Sequence, residues 1–275
     1  MILYLSLLCI FCAFWALHFK FSRYIPILMY HRIADIPGDR NALPVEKFRE
    51  QLHYLKSNGF HTITLAMLYD HYTKGMGLPK KSVLLTFDDG YKDNYESALP
   101  LLLEYGLQAV VFPIGNWIGK ENKWENFHKQ PTTTMDFAEL KKWQESGMDI
   151  ASHTMNHPFL AYSSLDDISI ELKDSKALLE KAFQRPIDWL CYPYGNFNKE
   201  VIAAAKSAGY KGALAIFDGI PLKKRELFAL PRIPIPRRQP LWEFKLKVSS
   251  IHMIFIILRQ AERFIKTHLR KKKKS

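Results

Sequence analysis

Val83-Leu84-Leu85-Thr86-Phe87-Asp88-Asp89-Gly90 is the stretch on which the reading of this chain turns. Its first five residues carry no charge and are β-branched, aliphatic or aromatic, so they read as a buried strand. A strand apolar on both faces belongs to a parallel sheet covered by helices. This one runs straight into two carboxylates, which repel each other and lose hydration unless a cation or another partner compensates. In a regular strand the two would also point to opposite faces. Both serve one site only if the chain turns there, and Gly90 permits that. The plainer reading is a turn in which an aspartate caps a helix starting near Tyr95.

Outward from this strand the pattern repeats. Further strands are expected at Ile25–Tyr30, His61–Leu65, Ala109–Ile114, Met148–Ala151, Ile187–Tyr192 and Ala213–Phe217. Amphipathic stretches alternate with them at Val45–Asn58, Asn94–Tyr105, Asp136–Ser146, Ser164–Phe183 and Lys199–Ala208. Gly59, Gly106, Gly147 and Gly209 stand at or just past the ends of four of them, where a helix is expected to stop. Strand–helix alternation with apolar strands predicts an α/β domain on a mostly parallel, barrel-like sheet. Ligands of such folds meet the carboxyl ends of the strands.

Two more strand ends are polar beyond what turns require. After Met148–Ala151 comes Ser-His153-Thr-Met-Asn-His157-Pro. On a helical turn, residues four apart share a face, so both imidazoles reach one metal. A lone pair among ten histidines is often a surface accident. Beside a strand end bearing two carboxylates, the pair reads instead as part of a two-histidine, one-carboxylate set with open positions, as in catalytic metal sites. After Ile187–Leu190 comes Cys191-Tyr-Pro-Tyr194-Gly195-Asn-Phe-Asn. Pro193 fixes the backbone, Gly195 allows a tight turn, and the segment suits a groove floor offering a backbone N–H to a substrate oxygen. No base is tied to Cys191, which reads as a small buried residue. The three cysteines, Cys9, Cys12 and Cys191, are too few and too scattered for a disulfide framework or a thiolate zinc site.

These three motifs, in this order, resemble the polysaccharide deacetylase family (the NodB-homology domain, carbohydrate esterase family 4). Thr-Phe-Asp-Asp-Gly is similar to its first motif, His153-Thr-Met-Asn-His157 to its second, and Tyr-Pro-Tyr-Gly to a variant of its third. The resemblance runs from about Ile27 to Pro236 and takes in Tyr30-His-Arg-Ile33. Ala229–Ile235 is similar to the last strand of the poly-N-acetylglucosamine deacetylase branch. The resemblance implies a distorted (β/α) barrel in which Asp89, His153 and His157 bind a divalent metal, zinc above all. It implies Asp88 as the general base that takes a proton from the attacking water, and the Tyr194 N–H as an oxyanion donor. The implied reaction is hydrolysis of an N-acetyl group on an amino sugar, in a glycan or a lipid-linked saccharide. One departure stands out. Many members place a Leu-x-His near the domain's end, whose histidine protonates the leaving amine. Here that stretch reads Leu-Phe-Ala-Leu-Pro-Arg232, and arginine is too basic for the task. His31 is the candidate for proton handling, His31 and Arg232 are candidates for support of the site, and the acid stays unassigned. The competing reading is a catalytically inactive, membrane-anchored carbohydrate-binding protein of the same fold. A glycoside hydrolase using Asp88 and Asp89 fails, because its carboxylates must stand about 5 Å or more apart across the scissile bond.

Residues 1–19 carry no charged side chain and are almost wholly apolar, which predicts a single transmembrane anchor or uncleaved signal. The deacetylase domain is placed at 24–240. Residues 241–275 read as a basic amphipathic helix and a Lys271–Lys274 tail, suited to an anionic membrane surface. The net charge of +12 sits mainly there, since ten Lys/Arg against two Glu give that segment +8 and leave +4 for the rest. A basic body that binds nucleic acid is therefore not expected, and no aromatic platform accompanies the tail. The side of the membrane stays open. Lys20 and Arg23 favour a cytoplasmic domain by the positive-inside rule, whereas the resemblance favours an extracytoplasmic one.

Overall fold

The computed structural model describes residues 25–123, 132–216, 226–249 and 251–252. Its main sheet is parallel throughout, in the order β7 (Asp149–Ile150), β6 (Val110–Pro113), β5 (Ser82–Asp89), β1 (Ile27–Tyr30), β10 (Leu230–Pro234), β9 (Gly212–Ile216) and β8 (Trp189–Cys191). A short β4 (His61–Thr62) adds to the start of β5. The two edges meet, because Ser152 bridges Leu190, with the Ser152 N–H on Trp189 O and the Cys191 N–H on Ser152 O. The sheet is thus curled into a distorted barrel, as the alternation of elements predicts. A separate pair, β2 (Arg32–Ile33) and β3 (Ala42–Leu43), lies on the loop after β1.

The period-two alternation of side chains divides the core in two. Ile27, Leu84, Val110, Phe112, Trp189, Leu214 and Leu230 pack together inside the barrel. Val83, Leu85, Phe87, Val111 and Ile150 face the surrounding helices instead. Those helices are α1 (Val45–Ser57), α2 (Leu65–Lys74), α3 (Leu99–Tyr105), α4 (Phe137–Glu145), α5 (Leu165–Phe183), α6 (Lys199–Ser207) and α7 (Leu241–Lys247). Helix α2 joins the inner cluster through Leu65 and Leu68.

The structure departs from the sequence reading in several elements. His61–Leu65 is a strand only over its first two residues, because Thr64 accepts a hydrogen bond from the Met67 N–H and caps α2. The helix expected from Asn94 opens as a π-turn over Asn94–Ala98. There the Leu99 N–H reaches Asn94 O, just before Pro100, which has no N–H to give. Before the second and third site motifs, β7 and β8 are shorter than their apolar runs, whereas β5 runs past the expected Phe87 and through both aspartates. The basic helix expected from 241 opens as α7, with Phe244 and Val248 buried against the body. That helix stops at Lys247, with Val248 as its cap, where the sequence pattern predicts that it runs on. Residues 250 and 253–275, with the lysine tail, and the apolar 1–19 segment lie outside the described residues. Among the described residues no helix is long and apolar enough to cross a membrane.

Candidate active site

The carboxyl ends of the strands bring the singled-out residues together. Asp88 and Asp89 close β5, and the strand pattern continues through both. Thr86 and Asp88 share the inward face. By alternation Asp89 would turn outward, but its own φ is +69°, and Gly90 follows at +70°. The reversal expected at Gly90 therefore begins one residue earlier, and it swings the second carboxylate back to the barrel mouth. A side chain at Gly90 would meet Pro113 Cα at 3.1 Å, so only glycine completes this turn.

The histidine pair reaches the same point by a different route from the one expected. Residues 153–157 form no helical turn; Thr154 (φ +68°) and His157 (φ +64°) are both left-handed. Thr154 is β-branched, for which this conformation is costly. The loop is held there from several sides. Glu171 of α5 accepts the N–H groups of Met155 and Asn156 at 2.8 Å each, and the Asn156 side-chain amide as well. Gly115 and Asn116 N–H groups reach Thr154 O and Met155 O. Thr154 Oγ1 accepts the His157 N–H at 3.1 Å. Of six described non-glycine residues at positive φ, Asp89, Thr154, His157 and Tyr194 border this one site. Concentrated strain of that kind marks a functional centre.

The result is a buried donor triangle. His153 Nε2 and His157 Nε2 each lie 3.5 Å from Asp89 Oδ1. Two ligands on one tetrahedral zinc, each about 2.0–2.1 Å from it, stand about 3.4 Å apart, so the spacing fits a shared divalent ion. The donor chemistry fits as well. His153 Nδ1 donates to Cys191 O at 2.8 Å, which fixes the tautomer and leaves the Nε2 lone pair facing Asp89. Burial pushes His153 down to about 4, against the pull of the Asp88 charge, and carries His157 well below its ordinary value. Both imidazoles are thus neutral and ready to ligate at physiological pH. Asp88, His153 and Cys191 form a second donor group. It is the poorer one, because burial pushes the Cys191 thiol up and Asp88 is otherwise engaged.

Asp88 belongs to Arg232. The guanidinium donates to both carboxylate oxygens, Nη1 to Oδ1 at 2.6 Å and Nη2 to Oδ2 at 2.7 Å, and Nη1 also reaches Thr86 Oγ1 at 3.2 Å. Both side chains are almost fully buried. Burial alone would raise the Asp88 carboxyl, but the Arg232 charge and its hydrogen bonds outweigh that and hold it well below the usual carboxylate range. His31 Nε2 stands 4.0 Å from Asp88 Oδ2, with its side chain 22% exposed. Its backbone is clamped from the segment after the two aspartates. Asn94 donates to His31 O, while Asp93 accepts from the Ile33 N–H and the Arg32 Nε. Tyr194 (φ +58°) lines the rim, its ring 4.5 Å from the His157 ring and stacked on Phe159 at 4.0 Å. Cys191 is fully buried, as expected.

Glu171, Asp93, Asn94 and Phe159 were not singled out from sequence. Glu171 could have been: it falls in line with Ile168, Leu172, Ser175 and Leu179 on the apolar face of α5, where a carboxylate needs a reason. Asp93 and Asn94 carry no such signal, since Lys-Asp-Asn reads as an ordinary turn.

A barrel mouth with two neutral imidazoles, one carboxylate beside them and a second carboxylate held charged is the site of a hydrolase. The comparisons with known proteins agree. The polysaccharide deacetylase family model matches residues 75–213. YxkH of Bacillus subtilis, named as a polysaccharide deacetylase, is 33% identical over 211 residues, 77% of this chain and 71% of that one. This chain belongs to the polysaccharide deacetylase family, and its relatives include enzymes named as N-deacetylases, hydrolases of carbon–nitrogen bonds. The poly-β-1,6-N-acetyl-D-glucosamine N-deacetylase of Escherichia coli K12 is 25% identical over 82% of this chain, which spans 38% of that longer protein. Among solved structures, the Streptococcus pyogenes deacetylase PplD in complex with acetate superposes with a TM-score of 0.72 at 27% identity, covering 82% of this chain and 98% of that one.

Proposed function

We propose that the chain is a metal-dependent deacetylase that hydrolyses N-acetyl groups of amino sugars in a glycan. A polymer of the poly-N-acetylglucosamine kind is the first substrate to test. The observation that carries this reading is the division of labour at the end of β5: Asp89 faces two neutral histidines, while Asp88 is held charged by Arg232. Asp89, His153 and His157 would hold the ion, zinc by the two-nitrogen, one-oxygen donor set. A divalent ion there supplies a Lewis acid and lowers the pKa of water to about 7.

The chain's own groups do the rest. Asp88, charged and fixed by two hydrogen bonds, accepts the proton of the attacking water. Tyr194, at the rim, offers its N–H toward the acetamide oxygen. His31, 4.0 Å from Asp88 Oδ2 and partly open to solvent, would pass a proton to the departing amine. Arg232 keeps Asp88 charged and takes no proton itself. The assembled set argues against an inactive binding protein. The anchor at 1–19 and the basic segment at 241–275 would hold the domain at a membrane, a reading supported by the sequence pattern. The test is release of acetate from an N-acetylglucosamine oligomer. Activity should vanish on chelation and return on adding zinc. Turnover that survives exhaustive chelation contradicts the proposal.

A further inference from the structure

We propose that Phe159, Tyr162 and Tyr194 form an aromatic lip that takes the sugar units flanking the one being deacetylated. This rests on the deacetylase reading above and adds a binding site for a pyranose chain. Phe159 is 51%, Tyr162 85% and Tyr194 40% exposed. Single exposed aromatics are ordinary, but a run of them beside a reaction centre marks a recognition surface. Two of the rings are continuous with the site: the Tyr194 ring packs 4.5 Å from His157, and Phe159 stacks on Tyr194 with planes 10° apart, while Tyr162 stands in the turn that follows Phe159.

The lip is also built in advance of any ligand. Leu160, between the displayed rings, is fully buried and pins the turn to the core. The Tyr162 N–H returns to Phe159 O. The Ala161 N–H donates to Asn196 Oδ1 at 2.7 Å, and the Asn198 amide reaches Ala161 O, which ties this turn to the loop carrying Tyr194. A fixed surface binds without the entropy of ordering it. The surroundings select the ligand. From His153 to Leu165 no residue is acidic or carries Lys or Arg, and Asp166 and Asp167 follow. A lip meant for an anionic membrane would carry basic residues there. An uncharged sugar, with apolar C–H faces for the rings, fits.

The experiment compares zinc-loaded wild type, Phe159→Ala, Tyr162→Ala and Phe159→Trp. The probes are N-acetylglucosamine, its β-1,6-linked pentamer and vesicles with anionic lipid. Loss of one ring contact should cut pentamer affinity about threefold to tenfold. It should lower the pentamer-to-monomer ratio of kcat/KM alike, with Phe159→Trp restoring both. Weakened pentamer binding in a protein that turns over neither sugar upholds the lip and faults the deacetylase reading. Pentamer binding and ratio unchanged in both alanine variants overturns the lip. So does a defect confined to vesicle adsorption.

Discussion

Replacing Arg232 with methionine tests the electrostatic core of the site. Methionine keeps much of the side-chain length but removes the charge and both hydrogen bonds to Asp88, at 2.6 and 2.7 Å. Arg232 is fully buried and Asp88 only 4% exposed, so solvent cannot replace the lost partner. Leaving a buried charge unpaired costs about 3–5 kcal/mol. At about 2–4 °C per kcal/mol for a chain of this size, Tm should fall by about 6–20 °C in metal-free protein. The burial that the guanidinium now outweighs would then dominate the carboxyl. Asp88 should become protonated near neutral pH, and a lost general base is worth about 10²–10⁴ in rate. Activity should therefore fall at pH 7 and recover in part as pH rises, unlike the profile of a merely loosened fold. The double variant Arg232→Met/Asp88→Leu has no charge left to strand, so it should regain most of the stability while staying inactive. Chemical denaturation of the four proteins closes the cycle. A single variant destabilised by less than about 1 kcal/mol, or a double variant as unstable as the summed singles, would refute the reasoning.

Two further outcomes follow from the same geometry. Glu171→Gln keeps the size of the side chain that holds Met155 and Asn156 N–H groups at 2.8 Å, but swaps one acceptor for a donor. Zinc affinity, measured by chelator competition, should weaken about 10- to 100-fold, and unchanged affinity would show that the loop holds itself. Metal-free protein should lose stability in mild acid. His153 has a folded pKa of about 4, below its unfolded value near 6.5, so protonation favours the unfolded chain. Its contribution is complete above about pH 6.5 and is lost as pH falls toward 4, about 3 kcal/mol in all. Urea midpoints that stay level from pH 7.5 to 4.5 would contradict this.

Much of the site was legible because its chemistry violates local rules. Two adjacent acids at a buried strand end are costly without a compensating partner, and two histidines after another strand end complete a donor set. Their spacing was readable; the backbone that realises it was not. Residues 153–157 meet one point through left-handed Thr154 and His157, held by Glu171, which is 16 residues from Met155 in sequence and on another element. The helical pattern marks Glu171 as a carboxylate on an apolar face but does not say which loop it holds. The same holds for Arg232, which stood out as the wrong residue for a proton donor and as a possible support of the site; that it faces Asp88 depends on β10 lying two strands from β5. Helix α2 was hidden for a local reason, because His-Thr-Ile-Thr-Leu alternates like a strand while Thr64 acts as a cap.

The separate duties of the two neighbouring aspartates are the centre of this account, and zinc content measured beside deacetylation in Asp88→Asn and Asp89→Asn tests them most directly. Asp88→Asn should keep one zinc per chain and lose deacetylation by at least about 10²-fold, whereas Asp89→Asn should lose the zinc itself. Zinc lost from Asp88→Asn and kept by Asp89→Asn, or deacetylation undiminished without Asp88, would contradict it.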